Sequence, residues 1–180
     1  MEITDLQLQA ALGCSAAHAE LYVAPLNAAM QRYDINTPAR ICAFLAQVGH
    51  ESGRLVYARE IWGPTPAQAA YEGRADLGNV YPGDGSLFRG RGLIQITGRA
   101  NYKTCGTALG LDLESHPEML EQPAVAARSA AWFWDKHGCN ALADADEFIA
   151  ITRKINGGLN GQTDRIALWD QTKAAITQEA

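Results

Sequence analysis

The sequence predicts an all-α fold with one minor β-like element. Over most of the chain, apolar residues recur at the three- and four-residue spacing of a helix face, and only residues 94–97 alternate apolar with polar side chains. The chain has 180 residues, of which 47% are hydrophobic and 19% charged, so it can bury a sizeable core. We expect a single domain over residues 1–180, with two lobes and a loop-rich insertion at about 53–98.

The first two predicted helices are bounded by residues that begin or break a helix. Residues 4–12 form a short helix that ends at Gly13. Ser15 can cap the next helix, which Pro25 breaks or kinks before the helical pattern continues to Tyr33.

The third predicted helix, at 38–52, carries the first candidate functional residue. Thr37 is a suitable N-cap and Pro38 fits the first helical position. The apolar face continues to the end of this helix, so Glu51 points partly toward the core before Gly53 ends it. Because desolvation disfavours a charged carboxyl, a glutamate in this position is suited to donate a proton.

The rest of the chain is predicted from the same spacing. Residues 53–87 are rich in glycine, proline, aspartate and tyrosine, which is typical of surface loops. Further helices are expected at 66–73, 99–109, 115–120, 123–137, 144–155 and 163–176.

Two glutamates are candidates for acid and base catalysis. Glu60 follows Glu51 by nine residues, after an extended segment. Two carboxyls about 6.5–9.5 Å apart admit the water needed for inverting hydrolysis of a glycoside, whereas about 5 Å allows direct attack. The sequence leaves this separation open. The alternative interpretation of Glu51 is a structural ion pair with Arg91 or Arg165.

No metal site or cofactor is expected. A zinc protease needs His-Glu-x-x-His, but Arg54 stands where the second histidine would follow His50. The cysteines lack zinc-ligand spacing and are expected to be reduced and buried. They are Cys14, Cys42, Cys105 and Cys139.

Several polar residues are candidates for contacts with a sugar. Gln95 and Thr97 share one side of the alternating stretch, close in sequence to Asn101 and Tyr102. Such groups suit recognition of hydroxyls and amides, or the positioning of a water. A solvated polar face is the alternative interpretation. Asn156 begins an Asn-Gly-Gly sequence that also suits a helix C-cap.

Aromatic residues divide into two groups by their sequence context. Tyr57, Trp62 and Tyr81 lie in the predicted loops and can stack on sugar rings. The other three tryptophans lie in helical patterns and are expected in the core; they are Trp132, Trp134 and Trp169.

Charge and hydropathy exclude other classes of function. A net charge of −5 argues against non-specific nucleic-acid binding, and the absence of a run of 18 apolar residues argues against stable membrane insertion. The acidic start at residues 1–5 is not typical of a signal peptide. We therefore expect synthesis in the host cytoplasm, with any export depending on other proteins.

Three segments together resemble glycoside hydrolase family 19, which holds the plant-type chitinases and a set of phage and prophage endolysins. The segments are FLAQVGHESG at 44–53, RGRGLIQITGRANY at 89–102 and INGG at 155–158, with Arg165 after the last. They occur in order within about residues 25–175. The short frame with few loops is more similar to the endolysin branch.

The resemblance implies a lysozyme-like, two-lobed helical fold with a central cleft. It implies inverting hydrolysis with Glu51 as general acid, Glu60 as general base and Thr97 helping to hold the attacking water. It also implies that arginines near the acids keep Glu60 ionised. The substrate-binding candidates are His50, Tyr57, Trp62, Arg91, Gln95, Asn101, Tyr102, Asn156 and Arg165.

The function expected from the resemblance is that of a peptidoglycan-degrading endolysin. Such a muramidase cleaves the β-1,4 bond between N-acetylmuramic acid and N-acetylglucosamine. A chitinase is the alternative enzyme, and a non-catalytic glycan-binding or phage structural module is the alternative of another class. We expect a monomer that acts on peptidoglycan glycan strands in the periplasm and cell wall, after a holin has permeabilised the membrane.

Overall fold

Helices dominate the computed structural model of the chain, which describes residues 1–177. The all-α fold class is confirmed, and strand pairing within the described range is limited to isolated bridges. The α-helices are α1 (Asp5–Leu12), α2 (Ala16–Arg32), α3 (Pro38–Glu51), α4 (Pro66–Ala69), α5 (Asp84–Leu87), α6 (Arg99–Leu109), α7 (Pro123–Lys136), α8 (Cys139–Asp144), α9 (Phe148–Asn156) and α10 (Gln162–Thr177). Short 3₁₀ helices lie at Ala75–Leu77 and Pro117–Glu121.

Helix α3 is the central element, packed against α1, α8, α9 and α10. The Thr37 hydroxyl accepts a hydrogen bond from the N–H of Arg40 at 3.3 Å, and Pro38 occupies the first turn, as predicted. Every residue from Ile41 to Gly49 is buried. Glu51, the last residue of α3, is therefore fixed in position by a helix that is buried in the core.

Helix α2 does not break at Pro25. The Ser15 hydroxyl caps the helix by accepting from the N–H of His18 at 3.2 Å, and the helix then continues to Arg32. A proline inside a helix removes one backbone hydrogen bond. Packing of α2 against α1 and α7 offsets that loss.

The helix predicted at 144–155 is present as α9, but it begins at Phe148 instead of residue 144. Helix α8 ends at Asp144 and α9 begins at Phe148, and between them Asp146 adopts a left-handed φ of 59°. Aspartate tolerates this conformation better than most residues. No glycine or proline marks the break, so the sequence pattern did not indicate it.

The insertion at 53–98 contains more short helices than predicted. The helix expected at 66–73 covers only Pro66–Ala69, with Thr65 as its N-cap. Helix α5 and one 3₁₀ helix lie in what was expected to be loop.

The expected extended piece at 94–97 is instead the end of a tight turn. Arg91 forms an antiparallel bridge with Ile96, and the chain reverses direction through residues 92–95. Gly92 has a φ of +96°, and a Cβ there would lie 2.9 Å from the hydroxyl of Ser129. Alternating burial persists, because Ile96 is buried while its neighbours Gln95 and Thr97 are partly exposed. The alternation was therefore a correct signal for burial but not for an extended strand.

Two groups of buried apolar side chains form the core. The larger involves α1–α3 and α7–α10 and includes Trp134, which packs edge-on against Phe44 with ring centroids 5.4 Å apart. The smaller is centred on α6 and includes Phe88 and Tyr102. Of the three tryptophans predicted to lie in the core, Trp134 is buried, whereas Trp132 and Trp169 are only partly buried.

Two further expectations concern the cysteines and the membrane. The four cysteines are free, and all but Cys14 are buried. Among residues 1–177, no helix combines the length and apolar character needed to cross a bilayer.

Candidate active site

Glu51 is the last residue of α3 and forms an ion pair with Arg165 of α10. Nη2 of Arg165 donates to Oε1 of Glu51 at 2.5 Å. The guanidinium is fully buried, whereas the Glu51 side chain is 20% exposed. The alternative interpretation of Glu51, an ion pair, is therefore met by Arg165 and not by Arg91, and the Glu51 side chain still reaches solvent.

The Arg165 guanidinium is held by acceptors on all three of its nitrogens. Besides Glu51, it donates to Oε1 of Gln47 at 2.5 Å and to the carbonyl of Asn160 at 3.3 Å. Gln47 in turn donates to the hydroxyl of Thr152 at 2.9 Å. Gln47, Thr152 and Arg165 are all fully buried. This network ties α3, α9 and α10 together beneath Glu51.

His50, beside Glu51, belongs to a second charged group. Asp164 lies 2.7 Å from Nδ1 of His50 and accepts from Arg54 at 2.8 Å. Burial opposes ionisation of Asp164, but the bonds from His50 and Arg54 outweigh it and lower its pKa. The His50 ring packs on Gly161, where a Cβ would lie 2.3 Å from ring atoms. His50 is thus braced between α3 and α10 while staying partly exposed.

Glu60 is positioned by a short backbone pairing. Its N–H donates to the carbonyl of Gly90 at 2.8 Å, and the N–H of Gly92 donates to Ala58 at 2.9 Å. Three donors face its carboxyl group: Nε2 of Gln68 at 3.0 Å, the hydroxyl of Tyr71 at 3.4 Å and the N–H of Gly90 at 3.1 Å. A carboxylate only accepts hydrogen bonds, so this set of partners suits it.

The partners of Glu60 correct one expectation. Arg165 pairs with Glu51, and Arg91 pairs with Glu121 at 2.6 Å. The donors on Glu60 are neutral groups, not the arginines expected to keep it ionised. Burial, and then the charge of Glu60, raise the pKa of Tyr71, which keeps this phenol a donor to the carboxylate.

Glu60 opens into a groove of about 570 Å³. The exposed Tyr57 and the partly exposed Trp62 line it with their aromatic rings. The guanidinium of Arg89 lies 4.8 Å from the Trp62 ring centroid and restrains that ring. Arg59 also lines the groove, with its side chain 56% exposed.

Two predicted substrate-binding residues are buried instead. Tyr102 is 0% exposed, donates to the carbonyl of Arg89 at 2.5 Å and accepts from Arg91 at 3.0 Å. Burial raises the pKa of Tyr102 to about 12. Arg91 is 6% exposed and bridges Tyr102, Glu121 and the carbonyl of Leu87. Both residues hold the 88–92 segment behind Glu60, so direct contact with a substrate is not the role that their positions support.

Gln95, Thr97 and Asn101 line a second pocket, of about 120 Å³. Asn101 donates to the carbonyl of Thr97 at 2.8 Å. The Gln95 side chain covers Gly90, where a Cβ would lie 2.3 Å from Oε1 of Gln95. Since the N–H of Gly90 donates to Glu60, this second pocket lies beside the support of Glu60. The contact of Thr97 with a water stays a prediction.

The remaining candidates lie at the surface. Asn156 is exposed at the end of α9, where Gly157 at a φ of +75° provides the C-cap. Tyr81 is 62% exposed, with the Arg99 guanidinium 5.0 Å from its ring centroid. Among residues 1–177, no cluster of three or more histidine, cysteine, aspartate or glutamate side chains is arranged to hold a metal ion.

Comparison with known proteins bears on this arrangement of two acids. The family model described as "Chitinase class I", of glycoside hydrolase family 19, matches residues 23–150. A Haemophilus influenzae protein named for a glycosyl hydrolase family 19 domain is 34% identical over 153 residues, which are 70% of this chain and 74% of that protein. The chain belongs to glycoside hydrolase family 19.

Other relatives in family 19 agree with this assignment. An Arabidopsis thaliana endochitinase is 42% identical over 120 residues, which are 66% of this chain but only 39% of the plant protein. Chitinase C from Streptomyces griseus superposes with a TM-score of 0.76 at 28% identity, over 96% of this chain and 76% of that one. A bacterial family 19 chitinase gives a TM-score of 0.77 at 28% identity, over 98% and 96%. The chain is thus a chitinase-type glycoside hydrolase with a lysozyme-like helical fold.

Sequence reasoning missed the residues that support the two acids of this family 19 chain. Gln47 is a polar residue inside the apolar face of α3, one turn before Glu51, and that position was the available signal. Gln68 is the third residue of the helix that Thr65 caps, a position from which a glutamine side chain bonds back to the cap, and that spacing was the available signal. No pattern in the sequence marked Thr152, Asp164 or Tyr71.

Proposed function

We propose that this family 19 hydrolase cleaves the β-1,4 bonds between N-acetylmuramic acid and N-acetylglucosamine in peptidoglycan, with inversion at the anomeric carbon. The observation that carries the proposal is the different support of the two acids. Glu51 sits on a buried cation at the end of a core helix, whereas Glu60 is held by neutral donors in the wall of an open groove.

In the proposed reaction, each acid handles one proton. Glu51 gives its proton to the glycosidic oxygen as the bond to the anomeric carbon breaks. A water attacks that carbon from the opposite face, and Glu60 takes the proton that the water releases. Arg165 stabilises the carboxylate that forms on Glu51. We also propose that Thr97 helps to hold the attacking water.

The lining of the groove supports a peptide-bearing glycan as substrate. The aromatic faces of Tyr57 and Trp62 suit stacking on sugar rings. Arg59 and Arg89 also line the groove, where Arg59 lies 3.4 Å from Glu121 and is 56% exposed. Peptidoglycan carries carboxylates on its stem peptides, and chitin has no charged groups, so the arginines favour peptidoglycan.

Chitin is the second candidate substrate. Several relatives and structural neighbours are named chitinases, which supports cleavage of polymers of N-acetylglucosamine. Stacking on Tyr57 and Trp62 serves that polymer equally well.

The site of action is also a proposal. We propose that the enzyme works as a monomer in the periplasm and cell wall, once a holin has permeabilised the membrane. Expression in a bacterial host with and without a pore-forming protein tests this part. Lysis that depends on the pore is the expected result, and lysis without it would contradict the proposed route.

Purified peptidoglycan and chitin oligomers, incubated in parallel with the protein, test the substrate. The expected products are muropeptides with a new reducing end on N-acetylmuramic acid, found by mass spectrometry at the mass of the hydrolysis product. A mass lower by one water would indicate a transglycosylase. Release from chitin oligomers alone would assign the chain to the second candidate.

Substitution of the two acids tests the mechanism. Glu51→Gln and Glu60→Gln are each expected to lower turnover by about 10²–10⁴-fold, the usual contribution of general acid–base catalysis. Glu118→Gln is the matched control, because Glu118 is 63% exposed and pairs only with His116 among the described residues. Lytic activity that survives Glu51→Gln would contradict the assignment of Glu51 as general acid, whereas glycan binding that is unchanged by Glu51→Gln, without turnover in either protein, would favour the non-catalytic module.

A further inference from the structure

Gln47 is a fully buried amide that the proposed reaction does not use. It lies one turn before Glu51 on α3, so both side chains reach the guanidinium of Arg165. Its own N–H₂ group is anchored on Thr152 at 2.9 Å. The amide orientation is therefore set, with Oε1 directed at Arg165.

The three acceptors on Arg165 differ in charge. Glu51 is the charged acceptor, while Gln47 and the carbonyl of Asn160 are neutral. As a proton donor, Glu51 must be uncharged before the reaction. In that state the buried cation has only the two neutral acceptors, and burial of a cation without a counter-charge costs free energy.

We propose that Gln47 is a positioning residue that holds Arg165 while Glu51 carries its proton, and so sets the pH at which Glu51 titrates. The inference rests on the proposed role of Glu51 as general acid and adds a regulator of that role. The neutral amide oxygen of Gln47 stabilises the Arg165 cation but, unlike a second carboxylate, adds no negative charge that would compete with Glu51 for the guanidinium. Gln47 thereby lets Arg165 stay buried in both protonation states of Glu51.

The other charged groups nearby are already paired with one another. Asp164, next to Arg165 on α10, is bound by His50 and Arg54. The group contributed by α9 is the neutral hydroxyl of Thr152. Gln47 is thus the group whose replacement changes the charge balance at Arg165 most directly.

Two substitutions of Gln47 are expected to move the titration of Glu51 in opposite directions. Gln47→Met keeps the length of the side chain but removes the acceptor, so the cation depends more on an ionised Glu51 and the titration midpoint falls. Gln47→Glu adds a second carboxylate to the same guanidinium, so Glu51 keeps its proton to higher pH and the midpoint rises. Each shift is expected to be about one pH unit.

The direct test is a carbon-13 NMR titration of the side-chain carboxyls, with the Glu51 signal assigned from its loss in Glu51→Gln. Gln171→Met is the matched control, because Gln171 is exposed on the same helix as Arg165 and bonds only the carbonyl of Ala10 among the described residues. This control is expected to leave the Glu51 midpoint unchanged. The basic limb of the pH profile of kcat/KM on peptidoglycan is expected to follow the NMR midpoints.

Opposite shifts in the two Gln47 variants support the proposal. Midpoints that stay at the wild-type value in both variants, or that move in the same direction, overturn it. Lower kcat with an unmoved midpoint would show a purely structural role and also overturns it. The NMR measurement needs no substrate, so it still decides the inference if the chain fails to hydrolyse peptidoglycan.

Discussion

Gln68→Glu is a sharp test of how Glu60 is held. Oε1 of Gln68 accepts from the N–H groups of Gly63 at 3.1 Å and Thr65 at 2.8 Å, and a glutamate keeps both bonds. Nε2 of Gln68 donates to Glu60 at 3.0 Å and to the carbonyl of Ile61 at 2.7 Å. The substitution replaces that donor with a carboxylate oxygen, so it perturbs Glu60 while leaving the loop cap in place.

The size of the effect follows from the distance between the two carboxylates. Two like charges about 4 Å apart repel by about 4 kcal/mol at an effective dielectric constant of about 20. Solvent and relaxation reduce this value because Glu60 is only partly buried. We therefore expect Glu60 to hold a proton to a pH about one to two units higher than in the wild type.

The assay is the pH profile of kcat/KM, in which protonation of the general base gives the acid limb. The acid limb is expected to move to higher pH, with about a tenfold loss of rate per unit below it. Gln31→Glu adds the same charge at an exposed position on α2 and is expected to leave the profile unchanged. If Gln68→Glu folds normally and its acid limb coincides with that of the wild type, the hydrogen bond from Gln68 does not control Glu60.

Three further predictions concern stability and the buried supports. His50 and Arg54 lower the pKa of Asp164 in the folded protein. The ionised Asp164 therefore stabilises the fold at pH values above its pKa in the unfolded chain, about 4, and this stabilisation is lost as the pH falls through its lower pKa in the folded protein. Urea unfolding at several pH values should show that Asp164→Asn reduces this acid dependence, and equal dependence in both proteins would contradict it. Phe44→Ala should lower the free energy of unfolding by about 3–5 kcal/mol, because Phe44 is 0% exposed in the larger core, whereas a loss below 1 kcal/mol would mean that the site collapses around the cavity. Tyr102→Phe should cost about 1–3 kcal/mol through its lost hydrogen bonds without changing KM, and a raised KM at unchanged stability would restore a substrate-binding role.

Local signals in the sequence predicted the elements that are bounded by caps and glycines. Thr37 and Pro38 placed the start of α3 at the right residue, and Gly110 placed the end of α6. The break between α8 and α9 was missed because Asp146 adopts its left-handed conformation without a glycine. The turn at 92–95 was missed because period-two burial arises in a tight turn as well as in a strand.

The sequence predicted which two acids form the candidate site, but it did not predict the residues that surround them. The spacing on α3 placed Glu51 at the edge of the core, and the structure puts it there. Its partner Arg165 comes from α10, and the Thr152 hydroxyl that supports Gln47 comes from α9, each more than 100 residues away in the chain, and such contacts leave no local pattern. The supports of Glu60 depend on the pairing of residues 58–60 with 90–92, which neither segment indicates alone.

The backbone pairing that carries Glu60 consists of only a few hydrogen bonds, whereas Glu51 stands on a helix enclosed by four others. Residues 90–92 of this pairing are buried, whereas residues 58–60 are exposed or only partly buried, and segments with few buried contacts open at lower free energy than core helices. Heating should therefore disable turnover at temperatures where circular dichroism still reports full helicity. Thermal tolerance of turnover is thus expected to depend on how firmly the more exposed segment at 58–60 stays paired with the buried residues 90–92, and a brace placed there would extend the working range more than a better-filled interior.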